Sequence, residues 1–407
     1  MRDRLVAPQG DGESSTVPAR RDWPALASSP LAFSAYGILN AEWRAETQRA
    51  ARAFANDYLA GLGEIPPEWA ADGPLVVAGH QPELFHPGVW AKNFAATGLA
   101  RELGGAALHV MTDNDTAKSL SLTMPGGTPA EPFLAQLPLD AWTGETPWEG
   151  RTVVDPARFA AFGPEAERCL SGFAYQPVIA VMWPAVRNSD PRLSLGERLA
   201  IGRRLLERKL GGGMAEATLS GLARSLVGYA AFLADLISRA EEFAAAHDEA
   251  LAEYRKRHGI RSAHHPAADL ETRAGEVELP LWIWSETDPR RRRPFVRKSG
   301  DRLTMTVDGE PVAVLPAEPQ RLTRALHSGL GEWLLRPRAL ATTAFLRLGV
   351  ADLFIHGIGG GKYEAVNDRL MRSFWRVEPP PYAVATATLR LPIADAPADA
   401  GDAALRR

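Results

Sequence analysis

Three short segments concentrate the residue types that handle protons and anions. The first is Gly79-His80-Gln81-Pro82-Glu83-Leu84-Phe85-His86-Pro87-Gly88. Its histidines titrate near neutral pH, so they can orient a substrate or shuttle a proton, and Gln81 both donates and accepts. Gly79 and Gly88 let backbone approach a ligand, and Lys92 adds a positive charge. His80 and His86 stand six apart on a loop, a spacing that fixes no metal geometry, so no metal site is assigned. The second segment is Thr112-Asp113-Asn114-Asp115-Thr116-Ala117-Lys118. Asp113 and Asp115 can hold an amine, a hydroxylated sugar or a divalent cation, or act as general bases, with Asn114 and Lys118 as ligand contacts. Asp and Asn are equally the residues of turns and helix caps. The third is His356-Gly357-Ile358-Gly359-Gly360-Gly361-Lys362-Tyr363. Amides of Gly357, Gly359 and Gly360 can cradle a phosphate or carboxylate, with His356, Lys362 and Tyr363 beside them. Neither Ser nor Thr follows Lys362, so this is no Walker loop, and Lys362 takes the third glycine position of Gly-x-Gly-x-x-Gly. A glycine turn needed only for close packing is the alternative.

Arg336, Arg338 and Arg390 lie beside predicted core elements. Each could clamp an anion with its guanidinium fork or serve a structural ion pair. Trp282 and Trp284 flank Ile283 on a predicted strand and read as core or platform packing rather than ligand stacking. The run Arg290 to Arg293 reads as a solvated turn, and His264-His265 as a solvated loop.

The elements that must position these groups follow from periodicity. Leu39 to Leu62 is an amphipathic helix. Pro74 to Gly79 is a buried strand, Val89 to Leu103 a helix ending at Gly104-Gly105, and Ala106 to Met111 a second strand. This βαβ unit predicts a parallel sheet, and ligands bind such sheets beyond the carboxyl ends of strands. Residues 121–175 read as an irregular insertion, Val178 to Trp183 as a strand, and Ser194 to Gly259 as a helical pair broken at Gly211-Gly212-Gly213. Short strands at Leu281–Trp284, Pro294–Arg297, Leu303–Val307 and Val312–Leu315 make an antiparallel meander. Helices at Pro319–Leu326 and Pro337–Leu348, a strand at Asp352–Ile355, the glycine loop, a helix at Tyr363–Trp375 and a strand at Thr386–Leu391 complete the chain. The expected fold is α/β, with a Rossmann-like parallel core split in sequence, an inserted helical pair and a small antiparallel meander. Its parts are a disordered tail at 1–20, the first part of the core at 21–190, the helical insertion at 191–265, the meander at 266–318, the rest of the core at 319–393, and a second disordered tail from Ala394 to the end.

Composition narrows the function classes. The chain has 407 residues, 45% apolar, and a net charge of −3, so no global basic field draws it to nucleic acid or an anionic membrane. Cys169 is its only cysteine, which excludes an intramolecular disulfide and paired thiolate ligands. No apolar run reaches membrane-span length and the opening residues lack a signal-peptide core, so a cytoplasmic location is expected.

The pieces resemble a known family in their order along the chain. Ala78 to Gly88 is similar to the Thr-Gly-Gln-Gln-x-Gly-Leu-Phe-Thr-Gly-Pro segment of the bacillithiol-biosynthesis cysteine-adding enzymes, the BshC family. His80-Gln81 stands for its Gln-Gln, and Pro87-Gly88 inverts its Gly-Pro. Thr112 to Asp115 resembles that family's acidic segment. Ala252 to Ile260 with His265-Pro266 resembles its connecting helix, Trp333 to Pro337 its Leu-Arg-Pro segment, and the 357–361 glycines its Gly-Gly-Pro-Gly. His80-Gln81-Pro82 with Gly88 to Lys92 also resembles the opening of WbqC-like proteins. The BshC resemblance implies a Rossmann-like core related to nucleotidylyltransferases, and condensation of a cysteine-like amine with a sugar-bearing carboxylate. In that reading His80, Gln81 and His86 orient and shuttle protons, Asp113 and Asp115 hold the amine or sugar, and the 357–361 amides with Lys362 hold a carboxylate or a nucleotide phosphate. A nucleotide, ADP or ATP, is the one cofactor class this reading allows. The expected partner is a small molecule. Self-association stays open, because the chain ends before the coiled coil through which that family dimerises. The alternatives are a non-catalytic nucleotide- or sugar-binding module and a nucleotidyltransferase-like enzyme.

Overall fold

The computed structural model describes residues 5–29, 39–70, 72–84 and 86–391. The fold is α/β. Its centre is a six-stranded sheet of β1 (Ser14–Val17), β2 (Leu75–His80), β3 (Ala106–Met111), β4 (Ala215–Thr218), β5 (Leu353–His356) and β6 (Tyr382–Ala387), in the spatial order β1-β6-β5-β2-β3-β4. β2 to β6 are mutually parallel, and β1 runs antiparallel along the outer edge of β6.

Strands buried on both faces need apolar side chains in both directions. Val76, Ala78, Ala107, Ile355 and Ala385 point to one face, under the Pro87–Glu102 helix with its Ala96 and Leu99. Leu75, Val77, Leu108, Val110 and Ala217 point to the other, under the Ala41–Gly61 helix with its Ala51, Ala55 and Leu59. The Pro87–Glu102 helix begins where the sequence signals a start: His86 accepts from the Gly88 amide and Pro87 opens the first turn.

Several expectations are corrected. Residues 1–20 are not simply a tail, because Ser14–Val17 pairs with Val384–Ala387. The tail from Ala394, like Phe85, lies outside the described residues. Val178 to Trp183 belongs to a helix, Ile179–Asn188; its buried residues, Ile179, Met182, Trp183 and Val186, keep helical spacing. Residues 121–175 hold a β-hairpin, Ser121–Gly127 with Pro132–Pro138, and the Pro156–Leu170 helix. The 191–265 stretch is more than a helical pair, since Ala215–Thr218 inside it forms the far edge of the central sheet. Gly359 to Gly361 form the first turn of the Ile358–Leu370 helix, with Gly357 as its N-cap, rather than a loop. The last strand lies at Tyr382–Ala387 instead of Thr386–Leu391.

The meander is a five-stranded antiparallel sheet containing Pro294–Ser299, Arg302–Val307 and Glu310–Pro316. Leu281–Ser285 leaves it to pair with Trp333–Pro337, residues that open the second part of the core.

Candidate active site

The chain runs from β2 outward through β3 to β4, then returns to lay β5 against the other side of β2. The sheet therefore reverses direction between β2 and β5, and such reversals leave a crevice beyond the strand ends. His80 ends β2 and His356 ends β5. A cavity of about 1290 Å³ opens there, walled also by the meander and by residues 337–343. Gly79, His80, Gln81, His86, Gly88, Lys92, Asn114, Asp115, Arg338, His356, Gly357, Gly359 and Gly360 all line it.

His80 has its Nδ1 3.1 Å from the Gln81 carbonyl oxygen. Burial, with the Lys92 charge adding, takes its pKa from 6.5 down to about 4, so the ring is neutral at pH 7. Gln81 Nε2 donates to Asp115 at 2.9 Å, and Arg291 Nη1 donates to the other carboxylate oxygen, also at 2.9 Å. Asp115 is thus a bridge between the β2 loop and the meander. Asn114 Nδ2 donates to the Pro337 carbonyl oxygen at 2.8 Å and fastens the same turn to a third wall. His86 Nδ1 accepts from the Gly88 amide, which puts the proton of a neutral ring on Nε2. Lys92 is buried, and its Nζ donates to the Gly79 carbonyl oxygen at 2.6 Å. Burial, aided by the Arg203 charge, lowers its pKa from 10.5 to about 7.

The glycines divide by role. A Cβ on Gly360 would stand 2.5 Å from His356 Nδ1 and one on Gly361 2.4 Å from Val384 Cγ2, so these two are bare for packing. Gly357 and Gly359 have open space in that direction and face the cavity. Beneath this turn, His356 Nε2 lies 3.3 Å from Glu364, which is paired in turn with Arg347. Gly88 is a packing position too: a Cβ there would stand 2.6 Å from the Ala387 carbonyl oxygen. Gly88→Ala is expected to push the helix start off β6 at a cost of about 1–3 kcal/mol. A urea midpoint equal to wild type would refute that close approach.

Six sequence candidates lie off the cavity. Asp113 is buried and accepts from the Ser220 amide at 2.9 Å and from the Ser220 hydroxyl, so it anchors the start of the Leu219–Ser225 helix. Burial, with the Glu149 charge adding, raises its pKa to about 7. Lys118 is exposed. Arg336 is buried in a two-pronged pair with Glu149, both contacts 2.9 Å. Lys362 is exposed and Tyr363 packs on Tyr254 and His265, because the glycines begin a helix and so carry both residues a turn beyond its mouth. Arg390 is exposed, tied to Asp11 and the Gln9 carbonyl oxygen where the two terminal segments meet.

The meander and the Leu281–Ser285 strand with the connection that follows it contribute what sequence reasoning missed: Glu278, Trp282, Arg291 and Arg293 line the cavity. Arg338 and Arg293 both donate to Glu278, at 2.7 and 3.1 Å. A local signal existed only in the strand Leu281–Ser285, where alternation about the buried Ile283 turns Trp282 to the opposite face. Ala339, which follows Arg338, takes φ +24°, a conformation side chains disfavour, and non-glycine residues held in such regions cost about 1–3 kcal/mol and cluster at ligand clamps.

No protein-family model matches this chain, and no curated protein matches it.

Proposed function

We propose that the chain is a small-molecule ligase of BshC-like type, joining an amine to a carboxylate-bearing partner in the cavity between β2 and β5. One observation carries the reading: segments far apart in sequence meet around this cavity, whose charged lining comprises Lys92, Arg291, Arg293 and Arg338 against Asp115 and Glu278. A surplus of cations around a cavity, in a chain whose net charge is −3, favours an anionic ligand.

The chemistry asks for three things. An ammonium must lose a proton before its nitrogen can attack, and Lys92, poised near neutrality, is the group suited to take it. His80 is too weak a base to hold that proton but suits a hydrogen-bonding role toward the nucleophile. Asp115 and Gln81 suit the recognition of amine or hydroxyl hydrogens, and the Gly357 helix start suits a carboxylate or nucleotide phosphate. As the C–N bond forms, a carboxylate C–O bond breaks, and the oxygen leaves as phosphate where ATP activates the acid.

The test is a matrix of amines (cysteine, glucosamine) against carboxylic acids, with and without ATP, read by mass spectrometry and by thermal shift. A product of amide mass, lost in His80→Gln, is expected. Stabilisation without product would leave a non-catalytic binding module, and pyrophosphate release without amide a nucleotidyltransferase. Neither product nor stabilisation in any combination would overturn the proposal.

A further inference from the structure

The buried arginines of this protein mostly close on themselves. Arg336 gives both Nε and Nη2 to Glu149. Arg204 gives Nε and Nη2 to Glu64, and Arg347 spends its guanidinium on Glu364, Asp368 and the Pro380 carbonyl oxygen. Arg338 differs. Its side chain is 18% exposed and lines the cavity, yet its side-chain hydrogen bonding among the described residues runs through Nη1 alone, to Glu278. The Nε–Nη2 edge, the fork that matches two oxygens of a carboxylate or phosphate, has no partner among the described residues.

Its neighbours hold that fork in place. The Arg338 guanidinium lies 5.0 Å from the Trp282 ring centroid and that of Arg291 lies 4.7 Å from the same centroid. An indole carrying two guanidinium groups limits their freedom, which lowers the entropy lost on binding. Arg293 shares Glu278 with Arg338, while Glu271 meets Arg293 at 3.5 Å from outside the cavity lining. The wall therefore crowds three guanidinium groups around Asp115 and Glu278, and an incoming anion relieves that crowding.

We infer that the open fork of Arg338, held with Arg291 on Trp282 and neighboured by Arg293 through the shared Glu278, is a dedicated subsite for an anionic group on the substrate, a carboxylate or a phosphomonoester. The subsite sits on the meander side of the cavity and is built from other elements than the Gly357 helix start. It rests on the reading of this cavity as a small-molecule site. It adds that the ligand is anchored by an oxyanion bound two-pronged.

Calorimetric titration of the full chain with succinate, glucose 6-phosphate and inorganic phosphate tests this and separates the two sources of oxyanion. At least one probe is expected to bind wild type. Arg338→Met is expected to weaken it roughly 10- to 100-fold, the range for a lost charge-assisted hydrogen bond. Arg338→Lys keeps the charge and the Glu278 pair, so it guards against a folding defect. It is expected to recover only part of the affinity, since an ammonium has no fork. Trp282→Leu is expected to weaken binding several-fold. A probe that binds wild type and both Arg338 variants equally, but not His80→Gln, would overturn the subsite and leave the cavity reading intact. No heat from any probe at millimolar concentration would overturn both.

Discussion

Arg347→Met is expected to lower the unfolding free energy by about 3–5 kcal/mol, the cost of stripping one partner from a buried ion pair. Arg347 is 1% exposed and Glu364 2%, so neither charge has water to fall back on. The guanidinium also donates to Asp368 at 2.7 Å and to the Pro380 carbonyl oxygen at 3.1 Å. Methionine fills the volume of the stem but leaves two carboxylates and a carbonyl without their donor. The pH dependence identifies the mechanism. Burial alone would raise Glu364, but His356 and Arg347 outweigh it and hold the carboxyl at about 2, below its ordinary 4.5. A depressed folded pKa gives stability that is fully present above 4.5 and lost as pH falls from 4.5 toward 2. The gap between wild type and variant should therefore be widest at pH 7 and narrow below pH 4.5. Urea unfolding at both ends of that range checks it, and a gap independent of pH would point to lost packing instead. Because Glu364 supports His356 under the Gly360 turn, the same variant should also loosen the cavity wall.

What was readable in the sequence, and what was not, divides along physical lines. The β2–helix–β3 unit was legible because fully buried strands write continuous apolar runs, and its helix starts on a capping histidine and a proline. β4 was hidden because Ala215–Thr218 carries Glu216, a residue that sits in a buried strand only through its pairing with Arg203 and Arg204, on a helix earlier in the chain. β1 was hidden because Ser14 to Thr16 look polar, and an edge strand needs little apolar surface. Asp113 and Asp115 look equivalent as a pair. Position in the turn separates them, one facing the cavity and the other tucked beneath it against Ser220. Arg291 and Arg293 could not be told from a solvated run, since what draws them to the cavity wall is the approach of Asp115 and Glu278 from elsewhere in the chain, with Arg293 staying half exposed. Local pattern thus located the strand-end loops, while the charged far wall depended on long-range packing that composition does not encode.

Lys92→Met should separate stability from function, in opposite directions. A structural lysine earns its burial by pairing with a carboxylate; Lys92 is 3% exposed, and the hydrogen bond found for it among the described residues goes to the Gly79 carbonyl oxygen. Burial, with Arg203 adding, lowers its pKa from 10.5 to about 7. The sign follows from linkage. Between 7 and 10.5 the unfolded chain binds a proton that the folded chain does not, so stability rises with pH across that window, and below it the full penalty of a buried ammonium is present. Methionine removes that penalty and gives up one hydrogen bond, so the variant should gain about 1–3 kcal/mol at pH 6 to 7, with the gain fading as pH climbs toward 10.5. The same change deletes the one amine that, among the described residues, lines the cavity and is poised to exchange a proton at neutral pH, and turnover in the proposed ligation should fall by roughly 100-fold or more, as loss of a general base does. Lys92→Arg restores charge without a titrating amine and should not rescue activity. A stabilised but inactive Lys92→Met protein would mean that the buried ammonium is kept for its chemistry, against the interest of the fold. A destabilised one would make Lys92 a brace for the β2 turn, and would move the search for the proton acceptor to His86.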